Sequence, residues 1–195
     1  TTNADANGIG AFHTAPPTGY LALCSSNMAE PTIGPNSGVN NQSDDHFNTF
    51  LFTGDGEADT SLALNTFTPD WSWLKSRSGA DNHVLIDSSR RNGDNFPNLH
   101  SNVTDAEAND AFPKIITNGI ITSEGLYNND DVTFVVWNWK ANGGTATATI
   151  SESGDNPAAV VQTNQTAGFS IITYTGTGDA GTIAHGLGAV PKWII

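Results

Sequence analysis

The chain has 195 residues, a single cysteine and a formal net charge of −13, with only 7 Lys and Arg. So few cations exclude binding of nucleic acid or of an anionic membrane surface by bulk electrostatics. A single cysteine excludes a disulfide within the chain. We also expect no cofactor. Together, 20 Gly and 9 Pro indicate many turns between short strands, so the composition predicts an all-β protein.

The N-terminal part, residues 1–46, is predicted to be the tail of an upstream module followed by a linker. Pro16 and Pro17 cannot continue a β-ladder, and residues 25–45 are rich in Gly, Pro and Asn. The first regular strand is predicted from Phe47 onwards. We therefore expect a β-sandwich module over residues 47–168.

The segment WSWLKSR predicts a strand with two different faces. Because side chains alternate along a strand, Trp71, Trp73, Lys75 and Arg77 share one face, opposite Ser72, Leu74 and Ser76. Four of the seven basic residues lie in or near this segment: Lys75, Arg77, Arg90 and Arg91. They could dock a neighbouring subunit or an anionic glycan. The alternative is that they are solvated edge positions that discourage strand addition.

A short helix is predicted over residues 104–112. Thr104 and Glu107 have the spacing of a capping box, and Pro113 ends the segment. At about two turns, this helix needs packing against the rest of the protein to be stable.

The segment VTFVVWNWK predicts the central strand. It is apolar on both faces, which is typical of a strand inside a layered structure. Core packing is therefore predicted for most of the tryptophans, namely Trp71, Trp137, Trp139 and Trp193. Trp73 is the tryptophan that we consider a candidate for ligand contact.

The segment from Phe47 to Trp71 recurs from Phe169 to Trp193 without insertion or deletion, at a constant offset of 122 residues. Such self-similarity is typical of modular arrays. The second copy reaches only Ile195, so we expect residues 169–195 to be the opening strands of a second module, cut from a longer polypeptide. The alternative is that they complete the first module.

The acidic turn TGDGEADT places Asp55, Glu57 and Asp59 at alternating positions, which makes them candidate Ca²⁺ ligands. The second copy keeps the glycines but loses two of these three acids, so we expect glycine conformation, not metal, to be what the turn requires. A glycosidase-like carboxylate array would need a further acid at Leu62. The sequence therefore predicts no metal site and no enzyme.

Several motifs resemble those of modular virion proteins of marine tailed phages. They are APPTGYLALCSSNMAEPTI, FLFTGDG…PDWSWLKSRS, HVLIDSSR, LHSNVTDAE, VTFVVWNWKANGG and AGFSIITYTGTGDAGTIAHGLGAVPKWII. The resemblance implies SPRY-like and concanavalin A-like or jelly-roll-type β-sandwich modules. It also implies a place on a virion surface, such as a tail fibre, for a protein that folds in the host cytoplasm. It supplies no catalytic residue.

We therefore expect a structural or adhesive component of a phage virion. Its partners would be other copies of itself, other virion proteins and host-surface glycans, with multivalency supplying avidity. The alternative is a carbohydrate-binding module of a secreted marine bacterial protein, for which an exposed aromatic platform would be evidence.

Overall fold

The computed structural model describes residues 2–24, 27, 42–123, 125 and 127–195. Most of the predicted linker, residues 25–45, lies outside the described residues. The chain divides into two compact units, Thr1–Thr32 and Ile33–Ile195.

The first unit is organised around the carboxylate of Asp5. This carboxylate accepts hydrogen bonds from the backbone N–H of Ala22 at 2.8 Å and of Ile9 at 2.9 Å, and from the side-chain amide of Asn27 at 2.7 Å. These donors, Ala22 above all, lower the pKa of Asp5 to about 2. The charged side chain therefore holds together a segment that has little regular structure.

The second unit consists of antiparallel strands. One sheet has five strands in the order β1-β8-β3-β4-β5, and two sheets have three strands each, β2-β7-β6 and β11-β10-β9. The strands are β1 (Phe47–Thr53), β2 (Thr60–Leu62), β3 (Trp71–Ser76), β4 (Val84–Asp87), β5 (Asn98–Leu99), β6 (Lys114–Ile116), β7 (Gly119–Thr122), β8 (Thr133–Trp139), β9 (Ala148–Ile150), β10 (Ala159–Asn164) and β11 (Phe169–Tyr174).

The hydrophobic core lies between the five-stranded sheet and the β2-β7-β6 sheet. On the inner face of the large sheet, Phe50 pairs with Val136, and Val136 pairs with Leu74. This row packs in one cluster with Ile120 of β7. Two antiparallel sheets thus enclose an apolar layer, and the predicted all-β sandwich is confirmed.

The helix predicted over residues 104–112 is wrong. The segment is irregular, and Ala108 forms an antiparallel bridge with Asn98 through hydrogen bonds of 2.8 and 3.1 Å. The carboxylate of Glu107, which a capping box would use, instead pairs with Arg90. A two-turn helix has little stability of its own, so pairing with the sheet edge replaces it.

A buried polar cluster fixes the loop after β8. The carboxylate of Asp70, only 1% exposed, accepts hydrogen bonds from the N–H groups of Ala141, Gly143 and Gly144 at 2.7 to 3.0 Å. It also accepts one from the hydroxyl of Ser88 at 2.6 Å. These four donors offset the cost of removing the carboxylate from water.

The β11-β10-β9 sheet joins this cluster through Gln162 of β10. Its side-chain oxygen accepts from the N–H groups of Asn142 and Gly144, at 2.8 and 2.9 Å. Its side-chain amide donates to Ser88 and Ser89, at 3.1 and 2.8 Å. The loop is therefore held between the two sheets by side chains from both.

We predict that Asp70→Ala lowers the free energy of unfolding by ~3 kcal/mol or more, because several buried donors lose their acceptor. Urea denaturation followed by tryptophan fluorescence measures this loss. The control is Asp94→Ala, at a side chain that is 92% exposed, which should change the free energy by less than about 0.5 kcal/mol. Equal effects of the two substitutions would contradict the structural role of Asp70.

Candidate functional site

The outer face of the five-stranded sheet carries a row of aromatic rings. The register pairs Trp71 with Trp139 and Trp73 with Trp137 across β3 and β8. Phe47 of β1 pairs with Trp139 on the other side. We call the following group the aromatic surface: Phe47, Trp71, Trp73, Trp137, Trp139 and Phe169.

One half of the aromatic surface is covered by the second copy of the repeat. The ring of Phe169, the first residue of β11, stacks on Trp71 at 5.8 Å and on Trp139 at 6.1 Å between centroids. Trp71 and Trp139 are themselves 4.4 Å apart. The contact places β11 beside the first copy of the repeat within one compact unit.

The prediction of core packing for four tryptophans is corrected by this arrangement. Trp71, Trp137 and Trp139 are only partly buried, and Trp193 is 66% exposed. The pleat places the first three on the sheet face opposite the hydrophobic core. The alternation in the sequence identified which residues share a face, but not which face the second sheet covers.

The other half of the aromatic surface consists of Trp73 and Trp137. Their rings meet edge to face, with centroids 5.8 Å apart and an interplanar angle of 66°. The Trp73 indole N–H donates to Nδ1 of His83 at 2.8 Å. The backbone N–H of His83 donates in turn to the side chain of Asn102 at 2.9 Å. These two hydrogen bonds hold the orientation of the Trp73 ring.

The protonation state of His83 supports this orientation. Burial lowers the pKa of His83 below its ordinary value of 6.5, and the charge of Lys75 lowers it further. Neutral His83 accepts from Trp73 at Nδ1, so its proton lies on Nε2. An imidazolium would carry a hydrogen on Nδ1 and could not accept this bond.

The predicted basic cluster divides into two groups. Lys75 lies beside Trp73 on the outer face, and its ammonium donates to the carbonyl oxygens of Ser76 at 2.6 Å and Gly79 at 3.3 Å. The strand pairing continues to Arg77, whose N–H donates to the carbonyl of Thr133 at 2.6 Å. Alternation therefore places the exposed Arg77 on the outer face too.

The other two basic residues have partners of their own. Arg90 donates to Asp87 at 2.7 Å and pairs with Glu107. Arg91 lies near Asp94 at 3.4 Å and over the ring of Phe96. These two side chains stabilise loops, and they are not combined with Lys75 and Arg77 in one surface.

The acidic turn is held by Asn128. Its side-chain amide donates to the carboxylate of Asp55 at 2.6 Å and to the carbonyl of Glu57 at 2.9 Å. The bond from Asn128 is the main cause that lowers the pKa of Asp55. Gly56 has a φ of +70°, which favours glycine. Over the described ranges, with their gaps at 25–26, 28–41, 124 and 126, no group of three or more acidic, His or Cys side chains could hold a metal ion.

Two open grooves are not predicted from the sequence. One, of about 600 Å³, is lined by residues of β10 and of the loops near 142 and 186. The other, of about 770 Å³, lies beside Asp70, Ser89 and Arg91. Both are built by loops that are distant in the sequence, and no local motif signals them. In the part of the chain that the structure describes, no helix has the length and apolar content needed to cross a bilayer.

Fold and site together define an antiparallel β-sandwich protein with an aromatic surface on the outer face of its larger sheet. Residues 42–195 match a family described as a domain of unknown function, DUF7483. Because this match spans most of the chain, the chain belongs to that family. No protein with a curated description matches the chain, and no solved structure matches it.

We predict that His83 makes stability depend on pH. Its folded-state pKa is lowered, so its contribution is complete above about pH 6.5 and is lost as the pH falls through the lowered pKa. Replacing it by Gln keeps an acceptor for Trp73 but removes the titration. Between about pH 8 and pH 5, His83→Gln should therefore lose less unfolding free energy than the wild type.

Chemical denaturation at the two pH values measures this difference. His13→Gln, at an exposed histidine, is the control and should retain the wild-type pH dependence. The same pH dependence in His83→Gln and in the wild type would contradict the prediction.

Proposed function

We propose that this chain is a non-catalytic adhesive module that binds carbohydrate at the aromatic surface, as part of a phage virion surface appendage. The observation that carries the proposal is the Trp73–Trp137 pair, whose rings lie on the outer sheet face with the Trp73 ring fixed by His83. The virion context rests on the sequence motifs that resemble modular virion proteins.

Carbohydrate is the ligand class that fits this surface. The C–H face of a pyranose is apolar and flat, and it can stack on an indole ring. Each Å² of apolar surface removed from water by this stacking contributes about 25 cal/mol to binding. A ring that is already held in place loses little conformational entropy on binding. Thr49 of β1 pairs with Trp137 of β8. Its hydroxyl lies at the edge of the aromatic surface and can bond to hydroxyl groups of a sugar.

An adhesive role suits a site that offers few stacking contacts. A single stacking contact gives weak binding, and several copies on one particle convert weak contacts into avidity. The net charge of −13 keeps crowded copies from associating non-specifically.

The same surface would also serve the alternative, a carbohydrate-binding module of a secreted marine bacterial protein. The two proposals differ in assembly. A virion component should be recovered from purified particles in many copies, as part of a polypeptide well above 20.5 kDa. Mass spectrometry of intact particles tests this, and recovery as a free 20.5 kDa monomer would favour the alternative.

We predict that Trp73→Ala abolishes measurable binding to a polysaccharide that the wild-type protein retains, because the stacking platform is removed. The measurement is equilibrium binding to an immobilised panel of plant, algal and bacterial polysaccharides. Trp193→Ala is the matched control, because Trp193 is 66% exposed and lies outside the aromatic surface. It should bind like the wild type.

Circular dichroism and urea denaturation of both variants show whether they remain folded. A folded Trp73→Ala that binds like the wild type would overturn the assignment of the site. Absence of binding across the whole panel by the wild type would overturn the carbohydrate proposal.

A further inference from the structure

We infer that the ligand of the aromatic surface is an anionic polysaccharide, which carries carboxylate or sulfate groups and lies along β3. This inference rests on the proposed function and names its ligand class. It is carried by the order of side chains on the outer face of β3 and its extension, where Trp73 is followed by Lys75 and Arg77.

The spacing of the three side chains suits a linear polymer. Alternate residues of a strand lie about 7 Å apart on one face, so Arg77 is about 13 Å from Trp73 along the strand. A glycan chain stacked on Trp73 and directed along β3 would meet the ammonium of Lys75 and then the guanidinium of Arg77. An ammonium and a guanidinium group both attract anionic substituents.

Both cations have donors to spare. The ammonium of Lys75 uses two of its hydrogens for the carbonyl oxygens of Ser76 and Gly79, which fixes its position and leaves one for a ligand. Among the ion pairs of the described residues, none includes Lys75 or Arg77, whereas Arg90 and Arg91 are both paired. One carboxylate, that of Asp81, also lies close to Gly79 in the turn that follows β3.

The charge of the whole protein makes this stripe distinctive. With 20 Asp and Glu against 7 Lys and Arg, most of the surface repels a polyanion. Two adjacent cations beside a fixed indole ring therefore determine where along β3 an anionic chain can bind. Nucleic acid is a different polyanion, and the overall charge opposes it over the longer path that a phosphate backbone would cover.

The test compares neutral and charged polymers with one backbone. The wild-type protein is measured for equilibrium binding to hydroxyethyl cellulose and to carboxymethyl cellulose, and to dextran and dextran sulfate. We expect at least one charged polymer to bind about tenfold tighter than its neutral partner, a difference of ~1.4 kcal/mol. The carboxymethyl and sulfate arms distinguish the two sources of negative charge.

The variants separate the stripe from general electrostatics. Lys75→Gln combined with Arg77→Gln should reduce binding of the charged polymer to the level of the neutral one. Lys114→Gln combined with Lys192→Gln changes the net charge equally, away from the aromatic surface, and should leave binding unchanged. Trp73→Ala should abolish binding of both polymers.

Three outcomes would overturn the inference. They are equal binding of neutral and charged polymers, equal losses in the two double variants, and binding of single-stranded oligothymidylate as tight as that of the charged polysaccharide. The first of these would leave the proposed function intact if Trp73→Ala still removes binding. Absence of binding to any polymer, together with no effect of Trp73→Ala, would overturn the proposed function itself.

Discussion

The pairing register of β3 against β8 is the constraint on which both the core and the aromatic surface depend. In this register Leu74 faces Val136 toward the core, while Trp73 faces Trp137 on the outside. A slip by one residue would exchange the two faces, placing indole rings in the core and exposing the aliphatic row. Stability and the candidate site are therefore set by the same ladder of hydrogen bonds, and one cannot shift without the other.

Asp70 and Gln162 connect the loop after β8 to the sheet that carries Phe169. Together they hold the loop after β8 against β10, and this attachment carries β11 with it. In this arrangement Phe169 stacks on Trp71 and Trp139. A polar cluster thus connects the loop after β8 to the sheet that contributes Phe169 to the aromatic surface.

The sequence predicted the alternation of β3 and β8 because a strand's period is a local property. It could not predict the partners of either face, because those depend on contacts between residues far apart in the chain. For this reason the sequence predicts core packing for tryptophans that lie on the face opposite the second sheet. The prediction of a helix over residues 104–112 is wrong for a related reason. A capping pattern indicates only a local preference, and the bridge between Ala108 and Asn98 outweighs that preference.

The two copies of the repeat indicate what their shared motif specifies. In the first copy Asn128 donates to Asp55 and to Thr60, whereas in the second the side chain of Asn156 accepts from Thr182, the counterpart of Thr60. Both turns are therefore held by an asparagine from a distant loop. In the first copy this contact uses the carboxylate of Asp55, and in the second it uses only the backbone and hydroxyl of Thr182. The Phe that opens both copies packs on tryptophan in each, since Phe47 contacts Trp139 and Phe169 contacts Trp71. The motif shared by the two copies thus specifies a turn and a contact between Phe and Trp rings. A ligand bound to Trp73 would lie next to this contact.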